Sequence, residues 1–229
     1  MTTSPRVRVV RLFGPALDDV VRFVRSLEGD PHRTIAWDDD PEVHVKCSDP
    51  EVAEAIVARF GAAVYSLSGE PFEAAVGATL VAAGRTLATA ESCTGGLVGE
   101  LVTRVPGSST YYRGGIVAYS NDVKVQVLGV PADVIAARGA VSGEVVLAMA
   151  EGARRVCGAD FGVAVSGVAG PGGGSAGKPV GTVWLAIAGP RGARAIVHRF
   201  GGDRERVRRT AAFHALDLVR REVIEGEEA

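Results

Sequence analysis

The chain has 229 residues, a formal net charge of −2 and a hydrophobic content of 47%. This length allows one or two domains, and the apolar content is sufficient for a packed core. A charge so close to zero argues against a nucleic acid or an anionic membrane as the partner. Because the sequence shows no hydrophobic N-terminal signal and no apolar run that could span a bilayer, we expect a cytoplasmic protein.

The cysteines and histidines do not have the spacing of a disulfide framework or a metal site. The cysteines are odd in number and far apart, and the histidines lack a ligand spacing such as H-x-x-x-H. We therefore expect no structural zinc and no metal mechanism. The residues concerned are Cys47, Cys93, Cys157, His32, His44, His198 and His214.

Residues 1–69 are predicted to form a small α+β module with the order β-α-β-β-α-β. The alternation of Val43, His44 and Val45 favours a strand, and Asp49 followed by Pro50 is typical of a helix start. The predicted elements, in chain order, are strand Arg6–Phe13, helix Ala16–Leu27, strands Arg33–Trp37 and Glu42–Cys47, helix Pro50–Phe60 and strand Ala62–Leu67.

Residues 70–229 are predicted to form an α/β domain with three layers, α/β/α, around a mixed sheet. The sheet is expected to be mixed because the segment from Gly189 to Gly192 has the composition of a hairpin turn. The predicted helices are Phe72–Ala83, Thr94–Arg104, Asp122–Leu128, Ala132–Arg138, Ser142–Val156 and Arg204–Ile224. The predicted strands are Thr86–Ala90, Gly115–Tyr119, Phe161–Ser166, Val180–Ala188 and Ala193–Phe200.

The segment AESCTGG, residues 90–96, places Ser92 where a predicted strand meets a predicted helix. There a hydroxyl can face a ligand, and the free N–H groups of the helix can receive developing negative charge. The alternative is that the hydroxyl only caps the helix.

Lys124 lies in a second strand-to-helix junction, YSNDVK, with Asn121 as the predicted N-cap. The positive end of the helix dipole there lowers the pKa of a lysine, whereas the neighbouring Asp122 acts in the opposite direction. A solvated surface lysine is the alternative. Since no histidine lies in the strand-end loops, Lys124 is the available activator for Ser92, and Ser–Lys pairs are a known variant of nucleophile and base.

Two further segments have features of an anion site. The glycine-rich loop from Ser166 to Gly174 could bring backbone N–H groups close to a phosphate or a carboxamide, or it could be a flexible connection. Arg204 follows a predicted capping Asp203, where a cation is unfavourable for the helix dipole unless an anion binds there. A solvated helix face would explain the same arginines.

Taken together, these motifs resemble the C-terminal domain of the CinA competence/damage-inducible family, which is similar to nicotinamide-nucleotide amidohydrolase. The resemblance covers nearly all of residues 72–224, and the first 68 residues are similar to the small KH-like middle module of that family. The segments that carry it are AESCTGG (90–96), PGSSTYYRGGIVAYSNDVK (106–124), AVSGEVVLAMAEGAR (140–154), SGVAGPGGG (166–174) and KPVGTVWLA (178–186).

The resemblance implies hydrolysis of the carboxamide of nicotinamide mononucleotide to nicotinate mononucleotide and ammonia, without a metal or organic cofactor. By position, Ser92 would be the nucleophile, Lys124 the general base and Tyr119 an aid to proton transfer. Ser166 stands where the family often has threonine. Backbone N–H groups near Thr94, Gly95 and Gly96 would hold the oxyanion. The phosphate would lie near Gly172, Gly173 and Arg204.

Three alternatives remain open from the sequence. Cys93 is a rival nucleophile because thiolates are intrinsically stronger than alcohols. The chain could instead be a binding or scaffold protein of the competence or damage response, or an amidohydrolase of another small amide. Domains of this kind commonly form symmetric dimers, so a homodimer is expected.

Overall fold

The computed structural model describes residues 8–27, 34–39 and 41–227 and has two compact units that divide between Ala75 and Val76. The predicted surface residue His32 and the first residues of two predicted strands, Arg6, Val7 and Arg33, lie outside this part of the chain. None of the helices in the described ranges has the length and the apolar character needed to cross a membrane.

The N-terminal unit is a four-stranded antiparallel sheet with two helices, in the predicted β-α-β-β-α-β order. Alternate strand residues such as Val10, Leu12 and Val45 are fully buried and pack against helix residues that include Ile56. The strand order is β2-β3-β1-β4. The elements are β1 (Arg8–Phe13), α1 (Leu17–Ser26), β2 (Thr34–Asp39), β3 (Glu42–Cys47), α2 (Pro50–Phe60) and β4 (Val64–Ser66).

The C-terminal unit contains a five-stranded sheet, which is mixed as expected and has the strand order β6-β5-β7-β8-β9. Strands β6, β5 and β7 run parallel, and β8 and β9 are antiparallel because a tight turn joins them at the Gly189–Gly192 pair. The chain passes from one unit to the other within α3 (Phe72–Ala82). The other elements are β5 (Leu87–Glu91), α4 (Leu97–Thr103), β6 (Tyr112–Val117), α5 (Asn121–Gln126), α6 (Ala132–Arg138), α7 (Gly143–Cys157), β7 (Phe161–Gly167), β8 (Thr182–Gly189), β9 (Gly192–Arg199) and α8 (Arg204–Glu227).

Helices cover both faces of this sheet and complete the three layers. Alanines at alternate strand positions, such as Ala88, Ala164 and Ala186, share a core cluster with Met149 of α7. Small residues allow a close approach, and a Cβ on Gly162 would lie 2.1 Å from a backbone oxygen of α7. Since side chains alternate along a strand, the intervening buried residues face the other layer, where α8 contacts β7 and β8.

Three predicted boundaries near the candidate site were wrong. Helix α4 begins at Leu97 rather than Thr94, because Gly95 and Gly96 adopt positive φ values of 63° and 99° that interrupt a helix. Strand β6 spans 112–117 instead of 115–119, so Tyr119 lies beyond it. The N-cap of α5 is Ser120, whose hydroxyl accepts the N–H of Val123 at 3.3 Å.

Candidate active site

Ser92 is held between two neighbouring strands, one residue beyond the end of β5. Every residue of β5 is buried, and the strand pairs in parallel with both β6 and β7. The pairing continues past the strand end. The N–H of Ser92 donates to the backbone carbonyl of Val165 at 2.9 Å, and the N–H of Ala118 donates to the backbone carbonyl of Glu91 at 2.8 Å. The serine therefore lies at the carboxyl edge of a parallel sheet, where α/β folds commonly place ligand sites.

Lys124 reaches Ser92 from the first turn of α5. Its side chain is 1% exposed, and its Nζ lies 3.3 Å from Ser92 Oγ. The same nitrogen donates to the backbone oxygens of Ala118 at 2.7 Å and Tyr119 at 3.3 Å. The lysine is thus a buried group directed at the serine, which excludes the solvated surface lysine considered from the sequence.

The environment of Lys124 favours the neutral amine. Burial lowers the pKa of Lys124, and the nearby Cys93 offsets part of that effect. Asp122 was expected from the sequence to counteract the effect of the helix dipole on the pKa of Lys124. It is exposed and is not among the causes of the shift. Desolvation therefore decides the direction, since a charge buried without a carboxylate partner is costly.

Cys93 lies beside Ser92 and Lys124, but burial favours its protonated form. It is 6% exposed, and burial raises the pKa of its thiol to about 11. At neutral pH the group is a thiol and not the reactive thiolate. This argues against Cys93 as the nucleophile.

The turn after Ser92 is organised by Glu91, which is 2% exposed. Its carboxylate accepts the N–H groups of Gly96, Val98 and Gly99 at 2.9, 3.0 and 2.9 Å. A carboxylate at the N-terminal end of a helix satisfies donors that would otherwise lack acceptors and interacts favourably with the dipole. Glu91, and not Ser92, therefore caps α4, so the capping alternative for Ser92 does not hold.

These contacts occupy two of the three backbone donors that the sequence analysis assigned to the oxyanion. The N–H of Gly96 is taken by Glu91, and that of Gly95 donates to the carbonyl of Ser92 at 3.1 Å. Among the described residues, the N–H of Thr94 has no acceptor, and the Thr94 hydroxyl, which is fully buried, has no partner either. Buried polar groups are normally hydrogen-bonded, which makes Thr94 the donor to consider.

The other predicted site residues are spread along neighbouring strand-end loops. The Tyr119 side chain is 61% exposed, and its hydroxyl accepts from Arg204 at 3.1 Å. Arg204 also donates to the Gly170 oxygen at 2.8 Å, which ties α8 to the base of the glycine-rich loop. Ser166 is buried and donates to Ala140 at 2.8 Å, whereas the loop tip with Gly172 is exposed.

Tyr119 is connected to Lys124 through its backbone and not through its hydroxyl. Lys124 donates to the Tyr119 carbonyl, while the phenol has Arg204 as its hydrogen-bond partner in the part of the chain that the structure describes. The arrangement therefore gives no direct proton path from Lys124 through the phenol.

Next to the turn at residues 92–96, α4 and α8 enclose a groove of about 350 Å³. Four guanidinium groups and three apolar side chains line it, and one carboxylate, that of Glu205, is among the lining groups. So many cations around one groove favour a bound anion. The arginines are Arg104, Arg204, Arg208 and Arg209, and the apolar residues are Leu97, Leu101 and Phe213.

Two residues of this region were given no role by the sequence analysis. Glu91 could have been noticed as a charge at the end of an otherwise uncharged run, Leu87–Ala90. Arg208 could have been noticed because it lies four residues after Arg204 and so shares its helix face. Across the described ranges 8–27, 34–39 and 41–227, no group of three or more His, Cys, Asp or Glu side chains could hold a metal ion.

Comparison with known proteins identifies the class of protein that this fold and site define. The model of the CinA C-terminal domain matches residues 69–223. The chain therefore belongs to the CinA family, through the domain that contains Ser92 and Lys124.

Individual relatives extend this match. A CinA-like protein from Anaeromyxobacter sp. (strain Fw109-5) is 51% identical over 232 residues, which cover 94% of this chain and 56% of that protein. A putative competence-damage inducible protein from Symbiobacterium thermophilum is 45% identical over 94% of this chain and 55% of its own length. The chain thus spans little more than half of these relatives.

A solved structure gives the same assignment. The CinA superfamily protein from Klebsiella pneumoniae 700603 aligns with a TM-score of 0.65 and 36% identity, covering 67% of this chain and 96% of that one. The mixed α/β architecture of the C-terminal unit is therefore that of the CinA superfamily.

Proposed function

We propose that this protein hydrolyses the carboxamide of nicotinamide mononucleotide, giving nicotinate mononucleotide and ammonia. The observation that carries the proposal is the buried Lys124 amine 3.3 Å from the Ser92 hydroxyl. A neutral amine has two hydrogens and one lone pair. The hydrogens match the carbonyls of Ala118 and Tyr119, and the lone pair is left to accept the Ser92 proton.

The first half of the reaction forms an acyl-enzyme. Ser92 Oγ attacks the carboxamide carbon while its proton moves to Lys124 Nζ. The carbonyl oxygen becomes an oxyanion, to which the unpaired N–H of Thr94 donates. The protonated Lys124 then returns the proton to the departing nitrogen, and the C–N bond breaks to release ammonia.

The second half restores the enzyme. Water attacks the ester carbon and gives a proton to Lys124, the bond to Oγ breaks, and the proton returns to the Ser92 oxygen. The product carries a carboxylate where the substrate carried an amide. No step requires a metal ion or an organic cofactor.

The arginine groove supports an anionic substrate. Arg204 contacts both Tyr119 and Gly170, so the groove is continuous with the base of the glycine-rich loop. A phosphate bound to Arg204 and to N–H groups of Gly172 and Gly173 would hold the substrate at a fixed distance from Ser92. Because its hydroxyl contacts Arg204, Tyr119 fits a role in substrate binding better than one as a proton relay.

The test is ammonia release from nicotinamide, its riboside and its mononucleotide by the wild type, Ser92→Ala and Lys124→Ala. We expect turnover of the mononucleotide with kcat/KM at least about 100-fold higher than for the uncharged amides, since charge-assisted contacts to the phosphate are lost with those. Each variant should lose about 10³-fold or more in kcat while remaining folded. Equal turnover of all three amides, or near-normal turnover by either variant, would contradict the proposal.

A further inference from the structure

We propose that Arg208 is a positioning residue that fixes the direction of the oxyanion donor on Thr94. The proposal rests on the proposed amide hydrolysis and adds to it a residue that acts through the backbone of the turn at residues 92–96 and not by contact with the reacting atoms. Arg208 belongs to α8 and is half-buried, and it lies 116 positions after Ser92 in the chain.

The contacts of Arg208 are made with the backbone of the turn at residues 92–96. Its Nε donates to the Cys93 oxygen at 3.2 Å, and its Nη2 donates to the Thr94 oxygen at 2.7 Å. A guanidinium is planar and presents its donors in a rigid fork, so two successive carbonyls are held in one fixed relation. No carboxylate of the described residues forms a salt bridge with this guanidinium.

The planarity of the peptide bond converts these contacts into an orientation of N–H groups. In a trans peptide the carbonyl and the following N–H point in opposite directions. When Arg208 holds the Cys93 carbonyl, the N–H of Thr94 is therefore directed away from Arg208. The hold on the Thr94 carbonyl likewise directs the N–H of Gly95, which donates to the Ser92 carbonyl at 3.1 Å.

The result is one oriented donor that has no acceptor within the described part of the chain, in a residue that is fully buried. A donor fixed before the reaction loses no energy to reorganisation when the oxyanion forms. The positive charge on the other side of the same peptide also polarises it and strengthens the N–H as a donor. Removing Arg208 would leave Ser92 and Lys124 in place but allow the 93–94 peptide to rotate.

The experiment compares the wild type with Arg208→Met and Arg208→Lys, and uses Arg206→Met as the matched control. Arg206 lies in the same helical turn and is exposed, and because it is two positions from Arg208 it lies on a different face of α8. The first readout is the rate at which a fluorophosphonate labels Ser92, followed by intact mass. In that step the Oγ–P bond forms, the P–F bond breaks, fluoride leaves, the proton moves to Lys124, and the phosphoryl oxygen takes the position of the oxyanion.

We expect Arg208→Met to slow labelling, and to lower kcat for the amide, by about 100-fold with KM changed less than about threefold, as for loss of an oxyanion donor. Arg208→Lys should fall between this variant and the wild type, because an ammonium cannot hold both carbonyls in the same fork. Arg206→Met should behave as the wild type. Thermal unfolding monitors the folded state, and Arg208→Lys provides the measurement should the methionine variant unfold.

If the fluorophosphonate labels Ser92 of both Arg208 variants at the wild-type rate, the proposal is overturned. A loss confined to KM would also overturn it, because Arg208 would then bind substrate directly. Arg208-dependent labelling by a protein that releases no ammonia from nicotinamide mononucleotide would support the positioning role and contradict the proposed substrate. A wild-type Ser92 that the fluorophosphonate does not label would overturn both.

Discussion

Two loops at the same edge of the sheet are built in opposite ways. The turn after β5, residues 92–96, is held by the buried carboxylate of Glu91 and by the guanidinium of Arg208. The loop after β7 is held at its base, where Arg204 contacts Gly170, and near its far end, where Lys178 donates to the Arg138 oxygen at 2.6 Å, but residues 171–177 are all exposed. We infer that the fixed turn supplies reacting groups and that the exposed loop adapts to the substrate.

The largest effect is expected from removing the Glu91 carboxylate, which fixes the turn after β5. Glu91→Ala leaves three N–H groups without their acceptor in a buried site, so we expect the free energy of unfolding to fall by about 3 to 5 kcal/mol. Activity should fall with it, since the turn that carries Ser92 loses its support. Denaturant unfolding and ammonia release measure the two effects.

Glu100→Ala is the matched control. Glu100 lies on the exposed face of α4, the helix that Glu91 caps, and pairs with Arg104 at 2.8 Å. Its loss should cost less than about 1 kcal/mol. A similar loss of stability in the two variants would show that the buried carboxylate is not what distinguishes the first turn.

The second prediction concerns the pH dependence of the activity that depends on Ser92 and Lys124. Lys124 acts as a base only when neutral, and burial lowers its pKa. The kcat/KM value should therefore rise by up to tenfold per pH unit and reach a plateau at high pH. The midpoint of this rise should lie below about 10.4, the ordinary pKa of lysine. Initial rates between pH 5 and 10 measure the midpoint.

Lys124→Arg is the control, since arginine stays protonated across this range and should be inactive throughout. A rate that decreases as the pH rises from 6 to 9 would mean that the charged form of Lys124 is the active one.

Much of this arrangement follows from local sequence, and the rest depends on contacts that no local pattern encodes. Apolar runs and capping residues predicted the elements and the strand-end positions of Ser92 and Lys124. The start of β6 was missed because Gly114 and Gly115 are typical of a turn and the strand lies at the sheet edge. The role of Arg208 depends on carbonyls more than 110 residues away, which only the folded chain brings together.

A smaller effect is expected from Cys93, which belongs to the fixed turn but takes no part in the proposed chemistry. Because burial raises the pKa of its thiol to about 11, it remains protonated at neutral pH. Cys93→Ala should keep kcat within about threefold of the wild type and lose about 1 kcal/mol of stability from the small cavity. Ammonia release that survives Ser92→Ala but disappears with Cys93→Ala would reverse the assignment of the nucleophile.

The last prediction separates the base of the loop after β7 from its tip, where the smallest effect is expected. A Cβ on Gly172 would meet no atom within 4 Å, so Gly172→Ala should change the free energy of unfolding by less than about 0.5 kcal/mol. Gly170 has a φ of 85°, and its added Cβ would lie 2.7 Å from Val180 Cγ1. Gly170→Ala should therefore cost about 1 to 3 kcal/mol, from backbone strain and overlap. Equal unfolding midpoints for the two variants would mean that the loop adapts along its whole length, and the contact between Arg204 and Gly170 would then not anchor it.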